Sequence, residues 1–170
     1  MKKKILFLAF IMAGMQSVHS QTDSTNLPPY KKFPFFPQIS LRLPDSTSFF
    51  TREDLPKKKQ VLLMLFNPEC SHCQHETEEL VKDIDKFKDI EILMVTSMQF
   101  DSMLSFRAKY QLDKYDNIVM AHDDNFFLIT YFQIRNLPFL AFFNKKRELI
   151  DVFEGGLPMD LILEKFDKKD

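Results

Sequence analysis

Two apolar patterns alternate along this chain and predict alternating strands and helices. Val61–Phe66 and Ile90–Thr96 are almost continuously apolar, which is typical of strands that are covered on both faces of a sheet. Between them, apolar residues recur at spacings of four and three on an otherwise charged segment. This spacing predicts an amphipathic helix from about Ser71 to Lys88.

The pattern extends this alternation in both directions. Before the first buried run, Gln38–Leu43 alternates with the period of a strand and Ser48–Thr51 follows a Pro-Asp-Ser turn, which predicts an N-terminal hairpin. The later predicted elements are a helix around Phe100–Tyr110, a strand at Asn117–Met120, a helix around Asp124–Gln133, strands at Phe139–Asn144 and Arg147–Glu154, a break at Gly155-Gly156 and a last helix from about Pro158 to Phe166. This order predicts an α/β fold with a central mixed sheet flanked by helices.

Residues 1–20 have the plan of a secretory signal peptide. A head of three lysines precedes an apolar stretch from Ile5 to Met15 and a small-residue exit that ends at Ser20. The apolar part is about half of the roughly 20 residues of a stable membrane span, so we expect cleavage after Ser20, with retention as an anchor as the alternative. Residues 21–37 predict an extended, proline-rich lead-in, and residues 38–170 predict one domain. The sequence therefore predicts a periplasmic or otherwise extracytoplasmic protein with no membrane span after cleavage.

Charge narrows the range of partners. Removing residues 1–20 takes away three lysines and no acid, so the formal net charge changes from −1 to −4. A mildly acidic chain without a basic stripe argues against nucleic acid and against anionic lipid as partners. The run Lys57-Lys58-Lys59 is best interpreted as a solvated loop before a strand.

Cys70 and Cys73 are the only cysteines of the chain, and their spacing indicates chemistry or metal binding. A bridge across two residues closes almost no loop, so it constrains the unfolded chain very little. Cys70 follows a buried strand and precedes a helix, whose first-turn N–H groups and positive dipole end favour the thiolate. Cys73 lies one helical turn further on, within reach of Cys70 for a disulfide.

Neighbouring titratable groups act on the Cys70 thiolate in opposite directions. His72 can donate a hydrogen bond to it or, when protonated, stabilise it electrostatically. Glu69 and Glu76 place negative charge near the site and raise the thiol pKa. Because stabilising the reduced form makes a disulfide more oxidising, we hypothesise from His72 a reduction potential above about −270 mV.

These segments together resemble a known superfamily. The strand Val61–Phe66, the motif Cys70-Ser71-His72-Cys73, the long helix after it and the segment Ile134–Asn144 with its Leu-Pro pair resemble the thioredoxin-like superfamily. They are most similar to its exported bacterial TlpA/ResA-type members, over residues 38–167. The resemblance implies a thioredoxin-like fold, to which the N-terminal hairpin and a βα insertion at residues 117–133 are added.

The resemblance also implies roles for individual residues. Pro138 is implied to be a cis-proline that faces the disulfide, and Leu137 to offer main-chain groups that hold a substrate chain extended. Glu76, three residues after Cys73, matches an acidic position of the TlpA-like motif and would assist proton transfer. Met64 stands where thioredoxins have a buried acid, so Glu76 or a water molecule would have to replace that acid.

The sequence therefore predicts an exported thiol-disulfide oxidoreductase. In this hypothesis Cys70 is the nucleophile, Cys73 the resolving thiol and His72 the residue that tunes the Cys70 pKa. The reaction needs no bound cofactor, because the cysteine pair carries the electrons. The expected partners are protein thiols or disulfides and a membrane redox partner that recharges the site, and that partner determines the net direction of exchange.

Other functions could use the same motif. A copper or zinc carrier could use the two thiolates with His75, although no second Cys/His cluster completes a tetrahedral set. Attachment of c-type haem is disfavoured, because Gln74 replaces the histidine that follows the second cysteine. A peroxidase of the peroxiredoxin kind is disfavoured because, by resemblance, that family has Thr or Ser where Asn67 stands. A redox-inactive interaction module with a vestigial motif is the remaining alternative.

Overall fold

The computed structural model describes residues 27–167, which contain seven strands and five α-helices. In chain order they are α1 (Pro29–Lys32), β1 (Ser40–Arg42), β2 (Phe49–Thr51), β3 (Gln60–Leu65), α2 (Ser71–Lys82), β4 (Ile90–Thr96), α3 (Phe100–Lys109), β5 (Ile118–His122), α4 (Phe127–Phe132), β6 (Phe139–Phe143), β7 (Leu149–Glu154) and α5 (Met159–Asp167). The predicted signal peptide, residues 1–20, lies outside the described residues. No helix between residues 27 and 167 has the length and apolar character needed to cross a bilayer.

The strands form one mixed sheet in the order β2-β1-β5-β4-β3-β6-β7. β3 pairs with β4 and β4 with β5 in parallel, and the other neighbouring pairs are antiparallel. Every residue of β3 and β4 is buried, as the two continuous apolar runs predict. The predicted mixed sheet and the N-terminal hairpin, β1 with β2, are confirmed, and the hairpin extends the sheet beyond β5.

The apolar core lies on both faces of this sheet, because successive strand residues point to opposite faces. On one face, residues such as Met64 and Met94 pack against α2, α3 and α5. On the other face, residues such as Leu63 and Val95 pack with α4 and Phe36. Both faces of the central strands are therefore covered.

The register of three strands brings three loops to one edge of the sheet. Leu65 at the end of β3 pairs with Phe139 at the start of β6. Phe139 also pairs with Glu154 at the end of β7. The loop after β3, the loop before β6 and the loop after β7 therefore lie side by side.

Helix α2 ends at Lys82, earlier than the predicted end at Lys88. Asp83 has φ −101° and ψ 12°, outside the helical range, and Ile84–Phe87 then forms a 3₁₀ turn. The Asp83 carboxylate accepts a hydrogen bond from the Lys86 ammonium at 2.8 Å. Aspartate favours such local hydrogen bonds over a helix interior, and the turn buries Phe87 completely.

Helix α4 is shorter than the predicted helix over residues 124–133. The residues on either side of it, Phe126 and Gln133, have left-handed φ values of 54° and 53°, which ends the right-handed helix. The Leu128 N–H donates a 2.8 Å hydrogen bond to the Asp123 carboxylate. Asp123 therefore caps the helix from the preceding turn.

The lead-in is not extended throughout, contrary to the prediction. Pro29–Lys32 form one helical turn that opens on a proline, whose fixed φ suits the first turn of a helix. Beyond this turn the chain is extended, and Phe35 bridges Glu148 next to β7. Phe36 is 1% exposed and packs against Phe143 with ring centroids 4.8 Å apart.

Candidate active site

A tight turn after β3 places Cys70 at the start of α2. The Asn67 carboxamide oxygen accepts the Glu69 N–H at 2.9 Å, and the Asn67 carbonyl accepts the Cys70 N–H at 3.1 Å. Asn-Pro is well suited to such a turn. Cys70 has an extended backbone and the helix begins at the next residue, so the free N–H groups of the first turn lie next to its sulfur.

The Cys70 thiol is half-buried, and its pKa is lowered. Burial raises the pKa of this thiol, but hydrogen bonds from the Cys73 N–H, the Cys73 thiol and the His72 N–H act more strongly together and lower it. These groups stabilise the thiolate over the thiol. Cys70 thus combines partial exposure with a lowered pKa, the two properties of a nucleophilic cysteine.

Cys73 has the opposite character. It is fully buried, and burial raises its pKa to about 12, with Cys70 and Glu76 adding to the rise and a main-chain hydrogen bond of Asn67 opposing it. Both cysteines are free thiols in this structure and lie close together. A buried thiol with such a pKa must lose its proton to a nearby acceptor before it can attack a disulfide.

Glu76 is a buried carboxyl group on α2, one turn after Cys73. It is 5% exposed, and burial raises its pKa to about 7. The Leu157 N–H, which donates to Glu76 Oε1 at 3.2 Å, and the charge of His75 oppose this rise, whereas Glu79 adds to it. A carboxyl group with a pKa near 7 can accept or donate a proton at neutral pH.

Met64 is also buried, at 1% exposed, and lies in the same apolar cluster as Cys73. Because this residue is a methionine, strand β3 supplies no buried carboxylate at this position. Helix α2 supplies one in Glu76, which is close enough for its charge to raise the Cys73 pKa.

The Leu137–Pro138 peptide bond is cis, as the resemblance implies. The Leu137 carbonyl oxygen lies 3.9 Å from the Cys70 sulfur. On the other side, the Pro138 carbonyl accepts the Gly155 N–H at 2.7 Å. This loop therefore lies between the Cys70 thiol and the loop after β7, as the strand register requires.

His72 and His75 are exposed on the first turns of α2. They line a groove of about 540 Å³ next to Glu76, whose opposite wall is the loop after β7 and the start of α5. His72 acts on the pKa of Cys70 through its main-chain N–H, while its side chain lies at the groove.

The sequence predicts roles for Cys70, Cys73, His72, Glu76, Leu137 and Pro138, and the structure brings these residues together at one edge of the sheet. The sequence predicts no such place for Gly156 and Leu157, which lie against Glu76 in the structure. The signal available in the sequence was the Gly-Gly pair after the last strand, which predicts only a break. A tertiary contact of this kind has no local pattern.

The described residues also bear on the metal-carrier alternative. Within residues 27–167, no group of three or more His, Cys, Asp and Glu side chains is arranged to hold a metal ion. In this part of the chain, Cys70 and Cys73 therefore form a pair of thiols without a third such ligand.

Sequence comparison finds a match to one family model. Residues 36–154, which are more than half of the chain, match the model of the AhpC/TSA family. The matched segment begins at the buried Phe36 and ends with β7, so it includes the cysteines and the Leu137–Pro138 loop. The curated proteins contain no match to this chain.

Solved structures with the same architecture have low sequence identity to this chain. The exposed lipoprotein thioredoxin Etrx1 of Streptococcus pneumoniae strain TIGR4 has a TM-score of 0.62 and 23% identity, over 78% of this chain and 100% of that one. DsbF from MTB has a TM-score of 0.64 and 22% identity, over 75% and 92% of the two chains. A secreted Mycobacterium tuberculosis disulfide oxidoreductase homologous to E. coli DsbE has a TM-score of 0.63 and 16% identity, over 75% and 93%. These similarities confirm the predicted thioredoxin-like fold.

Proposed function

Because this chain belongs to the AhpC/TSA family and has a thioredoxin-like fold, we propose that it is an exported thiol-disulfide oxidoreductase that exchanges disulfides with protein substrates. The observation that carries the proposal is the contrast between its two thiols. Cys70 is half-buried with a lowered pKa, whereas Cys73 is buried with a pKa of about 12. An exchange reaction needs one thiol ready to attack a substrate and a second thiol held back to release it.

The first step is attack by the Cys70 thiolate on a substrate disulfide. A bond forms between the Cys70 sulfur and one substrate sulfur, and the other substrate sulfur leaves as a thiolate. The main-chain N–H groups of His72 and Cys73 stabilise the attacking thiolate, and we assign tuning of its pKa to His72. Leu137 and Pro138, next to the Cys70 sulfur, hold the substrate chain in an extended form.

The second step is attack by Cys73 on the Cys70 sulfur. The Cys70–Cys73 bond forms, the bond from Cys70 to the substrate breaks, and the substrate leaves as a dithiol after taking up protons. The protein thereby loses two electrons, and the reverse sequence of steps donates a disulfide. Glu76 accepts the Cys73 proton in the forward direction, because it is the neighbouring carboxyl group with a pKa near 7.

Export would determine where the exchange reaction takes place. Export by the predicted signal peptide would place the protein in the periplasm or otherwise outside the cytoplasm, where a membrane redox partner recharges the cysteine pair. That partner decides whether the protein acts as a reductase or as a disulfide donor. Asn67, three residues before Cys70, supports disulfide exchange over peroxide reduction.

Trapping and redox equilibration test the function together. In a Cys73→Ser variant, Cys70 should accumulate mixed disulfides with protein substrates, because the resolving thiol is absent. A Cys70→Ser variant is the matched control and should accumulate none. In glutathione buffers, the unmodified protein should show one reversible two-electron couple.

The measured potential also tests the hypothesis about His72. A value above about −200 mV supports an oxidising pair, whereas a value below about −250 mV favours a reductase and contradicts that hypothesis. Failure to observe any reversible couple would contradict the oxidoreductase function itself. A titration with Cu⁺ would then test the carrier alternative.

A further inference from the structure

Two adjacent glycines follow β7, and they meet different requirements. Gly155 has a φ of +106°, a backbone conformation that residues with side chains rarely adopt, and a Cβ there would lie an ordinary 3.7 Å from the Phe153 ring. The backbone at Gly156 lies outside this left-handed region. A Cβ at Gly156 would instead lie 2.5 Å from Oε2 of Glu76 and 3.5 Å from its Cδ. The Glu76 carboxylate therefore occupies space that a side chain at position 156 would need.

Main-chain groups on either side of Gly156 hold two parts of the site. The Gly155 N–H donates to the Pro138 carbonyl at 2.7 Å. The Leu157 N–H donates to Oε1 of Glu76 at 3.2 Å. The loop thus joins the cis-proline loop to the carboxyl group beside Cys73, with Gly156 between the two hydrogen bonds.

We propose that Gly156 is a positioning residue for the exchange reaction, because the space that it leaves keeps the Glu76 carboxylate buried beside Cys73. This inference rests on the proposed function, in which Cys73 must lose a proton. An added methyl group would displace the carboxylate, since the carboxylate is the end of a flexible side chain. Displacement breaks the Leu157 hydrogen bond and moves the carboxylate toward the groove.

The surroundings of Glu76 determine how displacement changes its titration. The titratable groups that line the groove with it are His72, His75, Glu79, Asp83 and Asp160. Burial is the largest cause of its raised pKa, ahead of the charge effects of His75 and Glu79. A carboxylate displaced into the groove loses burial, so its pKa falls from about 7 toward the ordinary value of 4.5.

The two steps of exchange can be followed separately with dithiobis-nitrobenzoate, an aromatic disulfide that releases one coloured thiolate in each step. Attack by Cys70 releases the first coloured thiolate and leaves a mixed disulfide on Cys70. Attack by Cys73, with loss of its proton, forms the Cys70–Cys73 bond and releases the second, so the reagent gains the two electrons that the protein loses. For Gly156→Ala we expect a first phase within about twofold of the unmodified protein and a second phase slowed about tenfold, part of the ~10²–10⁴ that a positioned proton-transfer group supplies.

Two further measurements separate positioning from a general effect on the loop. In a Glu76→Ala background the clash is absent, so adding Gly156→Ala should slow neither phase further. A ¹³C NMR titration of the Glu76 carboxyl group in the reduced protein should show a midpoint lower by about one unit or more in Gly156→Ala. If Gly156→Ala fails to fold, the Gly156→Ala/Glu76→Ala protein should fold.

The outcomes distinguish this inference from the proposed function. An unchanged second phase with an unchanged Glu76 midpoint would overturn the inference, and so would equal slowing in the Glu76→Ala background or failure of both variants to fold. Failure of the unmodified protein to release the first thiolate through Cys70, or to form the Cys70–Cys73 bond, would contradict the proposed function instead. The NMR titration still tests the inference in that case.

Discussion

At the scale of single residues, His72 has two groups that can act on Cys70. Its imidazole is exposed, whereas its main-chain N–H is among the groups that lower the Cys70 pKa. We expect His72→Ala to change the Cys70 pKa little and His72→Pro to raise it, because proline removes one of the hydrogen bonds that stabilise the thiolate. Proline removes the N–H but is tolerated in the first turn of a helix. The rate of alkylation against pH, in a Cys73→Ser background, measures both.

Ser71→Ala is the matched control for these substitutions, because it changes a neighbouring side chain in the same turn and keeps every N–H group. It should leave the alkylation profile unchanged. Equal increases in His72→Ala and His72→Pro would assign the effect to the imidazole. That result would contradict the role of the main-chain N–H and would support the sequence-based hypothesis about the His72 side chain.

The Glu76 carboxyl group makes stability depend on pH with a definite sign. Its pKa is about 7 in the folded protein against an ordinary 4.5, so between these values the folded state binds more protons than the unfolded state. The free energy of unfolding therefore falls as pH rises through this window and is level above it. A unit of pKa difference corresponds to about 1.4 kcal/mol, and we expect a total of ~2 kcal/mol because the adjoining groove gives water access to the carboxylate.

Glu76→Gln, which cannot titrate, is the reference for this prediction. Urea unfolding of both proteins between about pH 5 and about pH 8 should show the variant gaining stability relative to the unmodified protein as pH rises. Titration of other groups occurs in both proteins and cancels in the difference. A difference that stays constant across this range would show that burial does not shift the Glu76 pKa.

Single residues differed in how far the sequence could predict them. The position of Cys70 and Cys73 at the start of α2 was predictable because their motif lies between a buried strand and an amphipathic helix, and the cis bond before Pro138 followed from the resemblance. The burial of Glu76 was not predictable, because its hydrogen-bond partner Leu157 is 81 positions away. An exposed position on an isolated helix becomes buried in the folded chain only when another loop covers it.

Among the elements, the lead-in before β1 should contribute to the stability of the fold through Phe36. Phe36 is 1% exposed and packs on Phe143, whereas its neighbour Phe35 is 48% exposed. We expect Phe36→Ala to lower the free energy of unfolding by about 3–5 kcal/mol, the usual effect of removing a buried aromatic side chain. Phe35→Ala, the matched control, should change it by less than about 1 kcal/mol. Chemical denaturation measures both, and equal small effects would mean that the lead-in contributes little to the core.

Elements with a continuous apolar run were the most predictable. The predicted strands Val61–Phe66 and Ile90–Thr96 match β3 and β4 closely, since full burial leaves few alternatives for such runs. The end of α2 and the short α1 were less predictable, because both depend on local main-chain geometry. A proline-rich segment suggests an extended chain, yet Pro29 also suits the first turn of a helix.

At the scale of the whole molecule, the sheet order decides which distant segments form the site. β6 pairs with β3 and β7 pairs with β6, so segments far apart in sequence meet at one edge. The apolar pattern predicted a mixed sheet of these strands, but by itself it contained no signal for the order of β6 and β7. The contact between the loop after β7 and helix α2 depends on that order and on the packing of α2 and α5 against the same face of the sheet.

In the reduced protein, titration of the two thiols should make the free energy of unfolding depend on pH. The reduced protein has two thiols that titrate and the oxidised protein has neither, so the difference between their free energies of unfolding reports the thiols. The pKa of Cys70 is lowered from 9.0, so the reduced form gains stability as pH rises toward 9. The pKa of Cys73 is raised to about 12, so above 9 the unfolded chain loses the Cys73 proton first and the reduced form loses stability.

We therefore expect the stability difference, reduced minus oxidised, to pass through a maximum near pH 9, the ordinary pKa of both thiols. Above the maximum it should fall by up to about 1.4 kcal/mol per pH unit, the limit for one proton. Urea unfolding of both redox forms between about pH 7 and about pH 10 measures it. The same comparison can be made between a Cys73→Ser protein and a Cys70→Ser/Cys73→Ser protein, in which only Cys70 differs. The stability difference should still rise toward pH 9 but should no longer fall above it, because Cys73 is absent from both. A difference that shows no rise below about pH 9 and only falls above it would mean that the Cys70 thiolate is not stabilised in the folded protein, and the proposed site would then lack its nucleophile.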